Sequence, residues 1–299
     1  MRTPGRGTLA GLAVLVLLAG CGQLSQPSGG GPVVHPGGTA VVVRIEHTGG
    51  LVPYEALFTN LPSFTVVGDG RVIVQGPVAD IFPGPALPNV LVRRLTEDGI
   101  QSLILRVTDT GLFEESQSFS AAGEFVADAP TTVLTLRADS REVVVDVYAL
   151  GLLMDLDEVP PNVPDSEIDA HVALTALESE LVDLESWIPE DDWADAEWQP
   201  YVPTAFRLLV SNIDDIEPLP EEGEPIPWPG RTPPDEIGEL SSVQSVRCGL
   251  VMGEEAATWY AALQGATQSS RWIHDGHEYR VIPRPLLPDE VLDCGPAEL

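Results

Sequence analysis

Lysine is missing from this 299-residue chain: its 15 basic residues are all arginine, set against 46 aspartates and glutamates. That absence removes two nucleotide and nucleophile motifs outright. A Gly-x-x-x-x-Gly-Lys phosphate loop and a Ser-x-x-Lys pair both need a lysine. The formal net charge is -31, and no basic cluster offsets it. A body this acidic is repelled by nucleic-acid phosphates and by anionic headgroups, so no nucleic-acid partner and no polybasic membrane mode are expected. Other arrangements are missing too. There is no Gly-x-Ser-x-Gly elbow, no His-Glu-x-x-His and no Gly-x-Gly-x-x-Gly opening a helix after a strand. The glycine runs Gly29 to Gly31 and Gly68 to Gly70 precede no helix, so neither cradles a phosphate. Cysteine is scarce, with 3 in the chain. No Cys-x-x-Cys occurs and no histidine adjoins Cys248 or Cys294, which gives a zinc site little support. No residue is assigned a catalytic role.

What is present begins at the N-terminus. Arg2 and Arg6 precede the apolar run Leu9 to Leu18, which is too short to span a bilayer and has the layout of a secretory signal peptide. The run ends in Leu18-Ala19-Gly20-Cys21, which resembles the lipobox of bacterial lipoprotein precursors. The resemblance implies a diacylglyceryl thioether on Cys21 and a protein held at the cell membrane by lipid, facing outside the cytoplasm. Residues 1–20 are then the signal peptide. Residues 21–38, rich in Gly, Ser and Pro, read as a flexible tether reaching roughly 20–25 Å. Export leaves Cys248 and Cys294, most simply joined in a disulfide. Closing a loop of about 47 residues contributes about 4 kcal/mol in the chain-entropy picture.

The body is predicted to be α+β, with two small domains, each an antiparallel sheet of hairpins packed with a helix. The first spans 39–189. It opens with a strand at 39–47 whose Val41, Val43 and Ile45 share a face. A hairpin over 64–74 follows, turning at Gly68-Asp69-Gly70. Thr96 caps a helix carrying Ile100, Leu103, Ile104 and Val107 on one stripe. A second hairpin turns near Asp139-Ser140. A helix from Asp165 or Ser166 to Pro189 buries Ala170, Leu174, Leu177, Leu181, Leu184 and Ile188. Residues 190–240 read as an acidic, Pro- and Trp-rich linker with one strand-like insert at 204–210. The small domain 241–299 has a strand at 241–248, a helix over 254–263 and a hairpin turning at Asp275-Gly276. The module from Pro62 to Val74, with the helix at 97–110, resembles domains of uncharacterised bacterial lipoproteins. That likeness implies an exported accessory protein and brings no catalytic residue.

Two features bear on ligands. Between Asp155 and Glu224 the only arginine is Arg207, so self-neutralisation within that stretch is impossible. The acids there form either a solvated face or a divalent-cation site. Asp155, Asp157 and Glu158, with Asp191, Asp192 and Asp195, are the candidate calcium ligands, although neither run matches an EF-hand loop. The second feature is aromatic. Trp193, Trp198, Tyr201 and Trp228 lie in the linker outside any clear element. Exposed, they would stack on a glycan or grip a partner protein; folded back, they would fasten the linker to the domains. Histidines 274 and 277 should face each other across the last hairpin, and His171 is expected in solvent. The expectation is a lipid-anchored cell-surface binding or structural accessory protein. The alternatives are a surface hydrolase with paired carboxylates and a calcium-dependent binding protein.

Overall fold

Alternating valines and isoleucines build the first strand, β1 (Val41–Gly49), with an irregularity between Val41 and Val43 that leaves Val41, Val42 and Val43 all buried. The computed structural model describes residues 31–152, 162–217, 224–240 and 246–294. After β1 come the short helix α1 (Tyr54–Thr59) and the strands β2 (Phe64–Val67), β3 (Arg71–Gln75) and β4 (Val90–Arg94). Helix α2 (Glu97–Thr108) starts where the Thr96 hydroxyl accepts the Gly99 N–H, and it buries the expected stripe. Strands β5 (Gln117–Phe119), β6 (Pro130–Ala138) and β7 (Arg141–Tyr148) lead into helix α3 (Asp165–Val182). Asp139 and Ser140, at the turn of the β6–β7 hairpin, both take positive φ, the conformation a two-residue hairpin demands.

Helix α3 stops at Val182, and a 3-10 turn at Leu184–Ser186 carries the apolar stripe on, so that Leu184 and Ile188 stay buried. The remaining elements are β8 (Gln199–Pro200), β9 (Ala205–Asn212), β10 (Ile226–Pro227), β11 (Glu239–Leu240), β12 (Arg247–Met252), α4 (Glu254–Leu263), β13 (Arg271–His274) and β14 (His277–Pro285). The strand expected at 241–248 therefore begins later, at Arg247, and residues 241–245 lie outside the described set.

The chain is α+β with two open sheets. One has 8 strands in the order β5-β7-β6-β1-β2-β3-β4-β8; the other has 6 in the order β10-β13-β14-β9-β12-β11. Pairing is antiparallel except at β5–β7 and β10–β13. Helices α2 and α3 cover the first sheet, where Leu103, Ile104, Leu174 and Leu177 meet Val43, Phe64 and Val145. Helix α4 covers the second, where Trp259 and Leu263 meet Phe206, Leu208 and Trp272. Strand β9, the insert in the acidic stretch, sits in the middle of the second sheet between β14 and β12.

Residues from Val33 onward form one compact unit. Polar ties join the two sheets within it. The Arg44 guanidinium reaches Asp289 at 2.7 Å, and the Tyr201 hydroxyl donates to the Leu286 carbonyl at 2.8 Å. Leu287 packs with Leu61, Ile73 and Val90. Cys248 and Cys294 are disulfide-bonded, with Cα atoms 5.9 Å apart, which pins the C-terminal tail to β12.

Candidate functional site

A concavity of about 710 Å³ is built from three segments. One wall is α1, a single short helix held down by Phe58. The opposite wall is the loop from Gly76 to Asn89 between β3 and β4. The floor is β14, through Arg280 to Pro283. The loop cannot extend the sheet because Pro77, Pro83, Pro85 and Pro88 lack the N–H that a ladder needs. Its neck is closed instead by Gly76 N–H to Asn89 O at 2.7 Å and by the Asn89 amide to Pro77 O at 2.9 Å. A Cβ on Gly76 would lie 2.6 Å from that amide nitrogen, so a larger residue there would displace the Asn89 side chain from the neck. The far limb of the loop is tied to the turn after α4: Ala86 N–H bonds Ala266 O, and Gln268 N–H bonds Gly84 O.

The walls are mainly apolar: Ala56, Val78, Ile81, Ala86, Leu87 and Ile282. Val78, Ile81 and Phe82 stand on the loop at 76%, 62% and 75% exposure. Three large apolar side chains so exposed within five residues mark a contact edge, because soluble surfaces rarely group them. Glu55 and Arg280 are the two charged lining residues. Past Arg280 and Gln268 the groove runs into a smaller hollow of about 300 Å³, lined also by Phe82, Ile213, Ile216, Ser269, Ser270 and Arg271. A third hollow of about 260 Å³ lies beyond Leu87 and Pro88, against Tyr201, Tyr260 and Pro285. Burial pushes the Tyr201 hydroxyl up to about 12, so it is a neutral donor there.

No family model, curated protein or solved structure matches the chain. Its site is therefore defined by its own geometry.

The residues singled out from sequence fall elsewhere. Trp193 is buried at 7% exposure, edge-on to Trp198 with centroids 5.8 Å apart, and under the Arg93 guanidinium at 4.1 Å. Arg93 also holds Glu185 and Glu190. Trp228 lies in the other sheet's core, T-shaped on Trp259 at 4.8 Å, and donates to Thr232 O. Trp193 and Trp198 thus come together, Trp228 is apart from them, and Tyr201 alone reaches a hollow beside the groove. Of the calcium candidates, Asp155, Asp157 and Glu158 lie outside the described residues. Asp191 and Asp195 are exposed and Asp192 half-buried. Among the described residues no three His, Cys, Asp or Glu side chains are grouped to hold a metal.

Two histidine readings are settled. His274 and His277 do pair across the β13–β14 turn, and His277 binds Asp214 at 2.7 Å. The Glu278 N–H, His277 and the Asn212 amide together hold the Asp214 carboxyl down to about 2. The expectation of a solvated His171 is overturned: the ring is completely buried and neither nitrogen has a hydrogen-bond partner, the Glu167 carboxylate standing 4.0 Å from Nε2. The physical reason is that α3 is covered on two sides. Its leucines face the sheet, while Glu167, one turn from His171, accepts the Ala122 N–H of a neighbouring 3-10 turn. The sequence reading allowed for one buried stripe only. It also missed the groove, whose signal is a proline-punctuated stretch with Val78, Ile81 and Phe82 in no helical or strand period.

Proposed function

We propose that this protein is an exported, lipid-anchored binding protein whose ligand lies in the groove between α1, the 76–89 loop and β14. The observation that carries the reading is the groove itself: a single apolar concavity of about 710 Å³, edged by exposed Val78, Ile81 and Phe82. Volumes of roughly 300–1,000 Å³ with apolar walls and few polar groups are those of small-molecule sites. Glu55 is the one carboxylate among the lining residues, so paired-carboxylate hydrolysis lacks its second acid there. The lipobox ending at Cys21 supports attachment to the membrane surface, with the acidic body held off the headgroups by its tether.

The test is saturable binding of a neutral apolar dye such as N-phenyl-1-naphthylamine. One equivalent should bind per folded protein. Ala56→Trp and, on the next turn of α1, Thr59→Trp should each fill the groove and abolish binding while the melting temperature is kept. Dye binding that is absent, unsaturable or indifferent to both substitutions refutes the assignment.

A further inference from the structure

We infer that the groove selects an amphiphile with an apolar tail and a carboxylate head, the head being held by Arg280. This rests on the groove reading above and names the chemistry of its ligand.

The argument starts from how the chain uses its few cations. Arg44, Arg93, Arg106, Arg207, Arg271 and Arg284 each hold a carboxylate at ion-pair distance. Among the described residues Arg94, Arg141, Arg247 and Arg280 have no such pair, and of these four Arg280 alone lines the groove. It is exposed on β14, lines both the groove and the hollow beyond it, and pairs with no carboxylate among the described residues. Its cross-strand neighbour Arg271 is committed to Glu278 and to the Ile216 carbonyl. The nearby Asp214 carboxylate is taken by His277 and by the Glu278 N–H. A guanidinium left over in such surroundings, at the polar end of an apolar trough, presents a forked donor to a planar carboxylate.

The rest of that end offers more donors. Gln268 lines both cavities, and Ser269 lines the smaller one beside Arg280. The tail would run the other way, along Ala56, Ile81, Leu87 and Ile282. The net negative field opposes an anion at long range. That field is screened beyond about 8 Å at physiological salt, whereas the Arg280 contact acts at hydrogen-bond distance. A cationic head would find Glu55 alone, on the α1 wall and not at the donor-rich end.

The experiment displaces the neutral dye from the full chain with dodecanoate, dodecanol and dodecyltrimethylammonium, each below its micelle concentration. Dodecanoate should compete at least about tenfold better than dodecanol, as a charge-assisted pair implies. Arg280→Gln should erase that preference and leave dodecanol and the dye unchanged, which also shows that the variant is folded. Equal competition by dodecanoate and dodecanol overturns the carboxylate assignment and leaves the groove standing, as does a preference for the ammonium compound. A preference for dodecanoate that survives Arg280→Gln overturns it too. No dye binding by the wild-type protein fails the groove reading itself.

Discussion

Replacing Trp193 by alanine should cost this protein about 4–5 kcal/mol of stability. The indole is 7% exposed, and a buried tryptophan removes roughly 150–250 Å² from water. At 25 cal/mol per Å² that is about 4–6 kcal/mol, an upper estimate, and measured Trp→Ala losses run about 3–5 kcal/mol. The Arg93 guanidinium, 2% exposed and 4.1 Å from the ring centroid, loses its aromatic face as well. It keeps Glu185, Glu190 and the Asp195 carbonyl, so its charge stays satisfied and the further loss is about 1 kcal/mol. Urea unfolding should show a midpoint lower by about 1.5–2 M, at a slope of about 2–3 kcal/mol per M. Trp198, half-buried against the same core, should cost about half as much. A cycle of Trp193→Ala with Arg93→Met isolates the ring–cation term. If Trp193→Ala moves stability by less than about 1 kcal/mol with an unchanged slope, the ring is not part of the core, and its reading as a contact residue returns.

Two other outcomes follow from single residues. Cys21→Ala should shift the protein from the membrane to the soluble fraction; retention after a high-salt wash would sink the lipid anchor, since the acidic body offers no basic alternative. His171→Met should raise stability at neutral pH by about 1–3 kcal/mol, because both orphaned ring nitrogens are replaced by an apolar chain. Burial holds the His171 ring below its ordinary value, against the pull of Glu167. The unfolded chain therefore takes up the proton first, and wild-type stability falls as pH drops below about 6.5 towards the lowered folded value. The Met variant should lose that limb in urea melts at pH 7.5 and 5.5, and a variant less stable than wild type at pH 7.5 would contradict the account.

Periodic elements were legible because their patterns are local. Helix α2 shows its cap at Thr96 and its stripe at Ile100, Leu103, Ile104 and Val107, and the structure follows both. The hairpins at 64–75, 130–148 and 271–285 turn at Asp69-Gly70, Asp139-Ser140 and Asp275-Gly276, residues that tolerate positive φ. What failed to show was anything set by distant partners. Strand β9 reads as an isolated apolar insert between prolines. Its central place comes from β12 and β14, whose pairing with it no local pattern encodes. His171 is polar and lies beside the leucine stripe, so a single-face reading puts it in water; the second covering surface arrives from residues 121–124. The groove is harder still. Its walls come from α1, from a loop without period and from the inside of a hairpin, and only the folded arrangement makes them one surface.

The charge imbalance has a structural consequence beyond solubility. Cations are scarce, and four of them form ion pairs between segments far apart in sequence: Arg44 to Asp289, Arg93 to Glu185, Arg106 to Glu180 and Arg207 to Asp293. Removing a partner from a buried pair leaves a charge stranded and is costly, whereas an exposed pair contributes little. Arg93, Arg271 and Arg284, each at most 7% exposed at the side chain, are therefore the positions where substitution should be felt by the whole fold. Arg280 supports no such link among the described residues. An arginine outside those ion pairs, placed at the end of the groove, is the residue whose removal should alter binding while the fold stays as it is.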